Sequence, residues 1–264
     1  MRLSEPPAGW VEWYGRILAD FGFPRERDEE AAEILSDYMS DKRCLVSELA
    51  SKIGGARCVV VAGAYDTLAE EAVILSEYLS PRIVVVSADT ATTPLLDGGI
   101  TPDIVVTDLD GDFEDIEECW RRGAVIVVHA HGDNMERLRA YVPRLGERVE
   151  ATCQCLPRGH IHNFGGFTDG DRAVFMAAAL GAKRVVTVGM CFTCSVGRYS
   201  LATKKPTPDW VRKKRMKLHY AWELLSWLAS ERSGLELIDA TLTPEPPPKG
   251  FKKMPLRDII QESV

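Results

Sequence analysis

The chain has 264 residues, 45% of them hydrophobic, and a formal net charge of −7. That length fits one large α/β domain, or one domain with a small appendage, burying about three quarters of its unfolded surface without staples. The acidic balance speaks against a nucleic-acid protein, and no apolar run reaches the ~18 residues of a membrane span. Met1 leads into Arg2-Leu3-Ser4-Glu5-Pro6-Pro7 without an apolar segment, so no secretory leader is expected. With seven irregularly spaced cysteines, the chain reads as soluble and cytoplasmic, its thiols mostly reduced.

Residues 8–20 and 28–42 predict two amphipathic helices, the second capped by Asp28 and carrying Ala31, Ile34, Leu35 and Tyr38 at helical spacing. Trp10, Trp13 and Tyr14 read as packing anchors. A short helix from Ser47 ends at Gly54-Gly55, so residues 1–55 form an N-terminal helical region and residues 56–264 an α/β domain. Strand and helix then alternate. Strands are predicted at 57–62, 82–87, 104–106, 124–128, 147–152, 184–188 and 235–238. Helices are predicted at 67–79, 113–122, 135–141, 171–180 and 209–230, with a helical or looped crossover at 89–96. Such alternation gives a Rossmann-like, mostly parallel sheet with flanking helices. Pro244-Glu245-Pro246-Pro247-Pro248 reads as an extended surface segment.

The chemistry collects at strand ends, where open α/β sheets bind ligands. Pro102 to Asp112 holds a buried strand with Asp103 before it and Asp108, Asp110 and Asp112 after it. Asp108 and Asp110 converge if the loop stays extended, and two carboxylates that close must share a proton or a cation. Hard oxygen donors without His or Cys suit Mg²⁺, whereas Asp112 reads as a helix cap. Asp89 follows the preceding strand, as a ligand or as a cap. Gly63-Ala64-Tyr65-Asp66-Thr67 forms a strand-to-helix turn able to hold phosphate. His129-Ala130-His131-Gly132-Asp133-Asn134 follows another strand. The two histidines face one ligand or one of them faces the core; Asp133 is a third metal oxygen, and Asn134 caps a helix or binds substrate. Asn163-Phe164-Gly165-Gly166-Phe167-Thr168-Asp169-Gly170-Asp171-Arg172 combines a Thr168/Asp171 capping box with a diglycine loop and a fixed cation, a cradle for phosphate or a flat ring. Cys153, Cys155, His160, His162, Cys191 and Cys194 match no common zinc-finger spacing. The basic run Lys204, Lys205, Arg212, Lys213, Lys214, Arg215 and Lys217 is a solvated helix face or, in part, a cover over phosphates.

The Pro102–Gly111, His129–Asn134 and Asn163–Arg172 stretches, in this order, resemble the archaeal 6-hydroxymethyl-7,8-dihydropterin pyrophosphokinase family, itself distantly similar to thiamine pyrophosphokinases. The resemblance is close over residues 57–190 and looser over the N-terminal helices. It departs at Gly63-Ala64-Tyr65-Asp66, where relatives tend to carry a Gly-x-Gly-Pro-Ser loop, and at Cys191, where an acid is expected. It implies Mg²⁺-dependent transfer of diphosphate from ATP to the hydroxymethyl group of a reduced pterin, in the pathway to folate or methanopterin. Asp108, Asp110 and Asp133 would hold Mg²⁺ and, with Arg172, form the catalytic set. Asp89, Thr107, His131, Asn134, Asn163, Phe164, Gly165, Gly166, Asp169 and Asp171 would contact ATP or pterin. Neither nucleic acid nor membrane is an expected partner, and a homo-oligomer is left open. The alternatives are a metal-dependent hydrolase built on His129 and His131 with aspartates, and a non-catalytic nucleotide- or pterin-binding module.

Overall fold

The structure, a computed structural model, describes residues 6–201 and 206–261. The start of the chain read for a leader, Met1 to Glu5, and Lys204 and Lys205 of the basic run lie outside the described residues. Three helices come first, α1 (Trp10–Phe21), α2 (Arg25–Met39) and α3 (Val46–Gly55). Then follow β1 (Cys58–Ala62), α4 (Leu68–Ser76), β2 (Ile83–Ala88), a 3-10 turn over Asp89–Ala91 and α5 (Thr92–Asp97). Next are β3 (Ile104–Thr107), α6 (Phe113–Arg121), β4 (Val125–Ala130), α7 (Met135–Tyr141) and β5 (Val149–Cys153). The chain continues with α8 (Asp169–Ala179), β6 (Arg184–Val188), α9 (Arg198–Leu201), α10 (Pro208–Glu231), β7 (Glu236–Asp239), β8 (Lys252–Lys253) and α11 (Leu256–Gln261).

The strands form one sheet in the order β5-β4-β3-β2-β1-β6-β7-β8, and every pairing is parallel. The order reverses between β1 and β6, so the crevice of this doubly wound α/β sheet opens above those two strands. Continuous β-branched runs such as Val59-Val60-Val61 suit strands covered on both faces. Val59 and Val61 join a core with α1, α2, α3, α8 and α10, while Cys58, Val60 and Ala62 meet α4, α5 and α11. Helices α1, α2 and α3 share that hydrophobic core with the sheet. The helix expected from Asp28 starts instead at Arg25, which carries Asp28 into the helix body, where it is buried.

At the reversal point Gly63 and Gly189 pass each other closely. A Cβ on Gly63 would stand 2.6 Å from Met190 Cγ, and Gly189, at φ 60°, would strike the Gly63 carbonyl oxygen. The N–H groups of Gly63 and Tyr65 donate to Val188 and Gly189 carbonyls, so two of that turn's donors serve the fold rather than a phosphate. Cys191 and Cys194, just beyond, are joined as a disulfide, which amends the expectation of reduced thiols at that pair; Cys44, Cys58, Cys119, Cys153 and Cys155 are free.

Glu71 of α4 fixes this corner. Its carboxylate is fully buried and accepts the N–H groups of Gly189 and Leu242. Burial pushes its pKa up, against the pull of those N–H groups. Replacing Glu71 with Ala strands the buried Gly189 donor and the half-buried Leu242 donor, and a buried donor left unpaired costs about 1–3 kcal/mol. Urea denaturation should show Glu71→Ala losing about 2–5 kcal/mol and Glu71→Gln, which keeps one acceptor, losing less. Equal stability of Glu71→Ala and wild type would rule this tie out.

Candidate active site

Because the strands are parallel, the loops after β2, β3 and β4 emerge on one edge of the sheet, and the start of α8 returns to it. Asp89 follows β2, Asp108 follows β3, and Asp169 opens α8. One oxygen from each of these three carboxylates lies within 4.8 Å of the others. Asp110 stands close enough to hydrogen-bond Asp89. Among the described residues only Asp89 (φ 43°) and Leu109 (φ 64°) are non-glycine residues with positive φ. Backbone strain of this kind costs on the order of 1–3 kcal/mol each and persists where the surroundings enforce it. Leu109 buries its side chain while its N–H donates to Thr107 Oγ1 at 2.7 Å. The Thr107 hydroxyl in turn donates to Asp89. The loop therefore turns at Leu109 instead of running extended, and the Asp110 N–H folds back to Asp108 Oδ1 at 3.2 Å. Gly111 passes so near Asp89 that a Cβ there would lie 2.8 Å from Oδ2.

His131 orients Asp108. The Asp133 N–H donates to His131 Nδ1 at 3.3 Å, which assigns the ring proton to Nε2, and Nε2 donates to Asp108 Oδ2 at 2.9 Å. Asn134 is a strap: its Nδ2 donates to the carbonyls of Asp108 and His129, at 2.9 and 2.7 Å, and its Oδ1 accepts the His131 N–H. Burial opposes ionisation of Asp108, but the hydrogen bond and field of His131, with Arg137 and Lys217, outweigh it and hold its pKa far below the usual range. The neighbours absorb the consequence. Burial and then the charge of Asp108 push Asp89 well up, and the same two causes raise Asp169 to about 7. One ionised carboxylate beside two that resist ionising is a site short of positive charge.

A cleft runs over this cluster in two lobes that share Asp110, Thr168, Asp169 and Lys214. One lobe lies above the β1/β6 reversal, against Tyr65, Met190, Phe192 and Trp210. The other is basic, with Arg27, Arg172, Lys214 and Lys217 facing Asp108 and Phe167. Lys214 and Lys217 are the part of the basic run that turns inward; Arg212, Lys213 and Arg215 are exposed. Burial, then Lys214, lowers the pKa of Lys217, whose ammonium sits 5.6 Å from the Phe167 ring centre. Arg172 is buried, donating to Gln154 Oε1 at 2.9 Å and standing 3.5 Å from Asp169 Oδ1.

The structure re-sorts the expected site residues. Asp108, Asp110, Asp169 and Arg172 line the cleft, as does Asp89. Asp133 is exposed at the rim, and Asp89 and Asp169 stand beside Asp108 in its place. Strand alternation stops at Ala130, so a residue two beyond His131 need not share its direction. Thr107 is buried and positions Asp89 rather than a ligand. Asn163 is buried with its amide committed to the carbonyls of Gln154 and Cys155 and to the Gly165 N–H. Asp171 closes the expected capping box, accepting from the N–H groups of Phe167 and Thr168 and from the Thr168 hydroxyl, with no oxygen turned to the cleft. Phe164 stacks on His162, and it is Phe167 that reaches the cleft. Gly165 and Gly166, both at φ 88°, are packing glycines: a Cβ would strike Phe175 or the Arg172 backbone. Asp103 sits at the opposite end of β3, paired with Lys52 at 2.6 Å, and Asp112 caps α6. The histidine pair does not converge, since His129 is buried and bonded through Nδ1 to Thr152, which removes the basis for a two-histidine metal site.

Asp28, a helix cap by its sequence position, instead organises one wall. Its oxygens accept the Gly132 N–H, the Tyr14 hydroxyl and Gln154 Nε2, at 2.8, 2.7 and 2.7 Å. Gln154 then holds Arg172. An acid on the same helical stripe as Ala31, Ala32 and Leu35 was the available signal.

An acidic cluster at the strand ends of a doubly wound sheet thus shares one cleft with a basic lobe, at the edge where such sheets bind ligands. The model of the family described as 6-hydroxymethylpterin diphosphokinase MptE-like matches residues 34–196. Three archaeal proteins named 6-hydroxymethyl-7,8-dihydropterin pyrophosphokinase are similar along most of their length. The one from Methanothermobacter thermautotrophicus is 48% identical over 231 residues, 85% of this chain and 95% of that protein. The one from Pyrococcus furiosus is 45% identical over 83% of this chain and 94% of that protein. The one from Methanocaldococcus jannaschii is 38% identical over 83% and 94%. The chain belongs to this MptE-like family. Its fold is similar to that of the MAf glycosyltransferase from Magnetospirillum magneticum AMB-1, with a TM-score of 0.50 at 13% identity over 83% of this chain and 38% of that one. No helix among the described residues is long and apolar enough to cross a membrane.

Asn134→Asp sets a carboxylate oxygen against two carbonyls and should lose about 3 kcal/mol or more in urea denaturation; a neutral result would show that the strap carries no load. Asp169 has its pKa raised from 3.8 to about 7, so its contribution to metal-free stability is full below about pH 4 and is lost as pH rises through 7. Asp169→Asn should therefore raise the Tm of the EDTA-treated protein at pH 8 by clearly more than it does at pH 5. An equal shift at both pH values would contradict the raised pKa.

Proposed function

We propose that this chain catalyses transfer of diphosphate from ATP to the hydroxymethyl group of 6-hydroxymethyl-7,8-dihydropterin, giving AMP and the pterin diphosphate, with Mg²⁺ at Asp89, Asp108 and Asp169. The observation that carries this reading is the placement of the aspartate cluster where the two lobes meet, so that ligands in both lobes reach it. The family membership supports the pterin as acceptor. The cluster suits the cation: its donors are all carboxylate oxygens, and Asp169 Oδ1 is buried without a hydrogen-bond partner. Bound there, Mg²⁺ would neutralise phosphate oxygens and release the strain among the carboxylates.

The chain's own residues do the rest by positioning and charge, which supply most of the catalysis in phosphoryl transfer. Arg172, Lys214 and Lys217 would hold the phosphates in the basic lobe, Arg172 locked in direction by Gln154. The lobe with Tyr65, Phe192 and Trp210 offers flat and apolar surface for a heteroaromatic ring. His131 keeps Asp108 ionised and aimed; with both its nitrogens engaged, it is a positioning residue rather than the acceptor of the hydroxyl proton.

The test is an endpoint assay with ATP, Mg²⁺ and 6-hydroxymethyl-7,8-dihydropterin. Equimolar AMP and pterin diphosphate are expected, abolished by EDTA, with Asp108→Asn lowering kcat by about 10²–10³ or more, the range for removal of a main electrostatic group. Ligand binding without AMP would establish a silent binding module, and turnover without ATP a hydrolase.

A further inference from the structure

A second group of ligating side chains lies outside the cleft. Cys44, Glu150 and His162 each offer one atom within 4.8 Å of the others, and none of them lines either lobe. We propose that these three residues bind a zinc-class metal ion that staples the segment before α3 to the edge strand β5.

The three side chains are held by backbone. Glu150 sits in β5, and the 162 segment pairs beside that strand, with the His162 N–H on the Ala151 carbonyl at 2.9 Å and the Cys153 N–H on the His162 carbonyl at 2.8 Å. Cys44 is brought in by the next residue, whose N–H, on Leu45, donates to Glu150 Oε2 at 2.7 Å. Glu150 Oε1 accepts the Ala151 N–H and points toward the ring.

The nitrogen-to-oxygen distance separates a metal site from a direct ion pair. His162 Nε2 lies 3.7 Å from Cys44 Sγ and 3.6 Å from Glu150 Oε1. A direct N–H···O bond would bring nitrogen and oxygen to about 2.9 Å. Ligands on tetrahedral zinc, with bonds of about 2.3 Å to sulfur and 2.0–2.1 Å to nitrogen and oxygen, stand about 3.5 Å (S to N) and about 3.4 Å (N to O) apart. The observed spacing is within a few tenths of an ångström of that. A nucleophile relay would instead set Cys44 and Glu150 on opposite ring nitrogens. Here both approach Nε2, while Nδ1 is buried and makes no hydrogen bond.

Charge points the same way. Glu150 is 1% exposed, and among the described residues its only ion-pair partner is His162. A buried carboxylate without Lys or Arg beside it calls for a cation. Thiolate, imidazole and carboxylate together select zinc over magnesium, and the exposed Cys44 leaves the fourth position to water.

The test uses the full chain stripped with EDTA and then titrated with Zn²⁺, and separately with Co²⁺ as a spectroscopic stand-in. Wild type should bind one Zn²⁺ tightly with a rise in Tm, and its Co²⁺ form should show the thiolate-to-metal band in the near ultraviolet. Cys44→Ser, a change at an exposed position, should lose the band and the Tm rise while keeping the circular dichroism spectrum. Asp108→Asn should keep both, which separates this site from the aspartate cluster. Absence of the band in wild type, or its persistence in Cys44→Ser, would overturn the proposal.

Discussion

Carboxylates crowded at the mouth of a parallel sheet repel one another, and the rest of the site is arranged to tolerate that repulsion. Asp108 is the fixed negative point, held ionised by His131 and kept in place by Asn134. Asp89 and Asp169 then sit where their own ionisation is disfavoured. Removing one of three packed side chains would relieve the repulsion, yet the chain instead accepts two strained backbone positions, Asp89 and Leu109, to keep them together. Such strain at one cluster is intelligible if a cation completes it.

The fold supplies this arrangement through its order of strands. With β2, β3 and β4 adjacent and parallel, three consecutive loops deliver Asp89, Asp108 and His131 to one line, and α8 crosses back to add Asp169 and Arg172. The N-terminal helices complete the basic lobe, since Asp28 of α2 binds the Gly132 N–H and, through Gln154, fixes Arg172. Helices with a sequence position outside the α/β alternation thus belong to the site.

Strands such as β1 and β4 were legible because β-branched runs ending in Gly or His have one stable reading in a parallel sheet. The capping box of Thr168 and Asp171 was legible because both partners lie within one turn. By contrast, β8 is two lysines long, and the ion pairs that they make with Glu236 and Asp239 of β7 join residues distant in sequence, so no local pattern marks it. The metal trio was half legible. Asp108 stands out locally, but its partners Asp89 and Asp169 reach it only through the adjacency of β2 and β3 and the crossover into α8. Asn163 and Asn134 look like ligand readers in sequence because an amide is unspecific; the carbonyls that occupy them are set by the fold. Asp133 misled through its spacing from His131, which has meaning in a strand and none after it ends.

We propose that Asp89 and Asp169 hold protons until a divalent cation displaces them. Calorimetric titration of Mg²⁺ into the metal-free protein at pH 6, repeated in buffers of different ionisation enthalpy, measures the protons released on binding. Release of a substantial fraction of a proton per bound ion, reduced in Asp169→Asn to the share that Asp89 supplies, is the predicted result. Binding with no proton release, or release unchanged in that variant, would contradict the account.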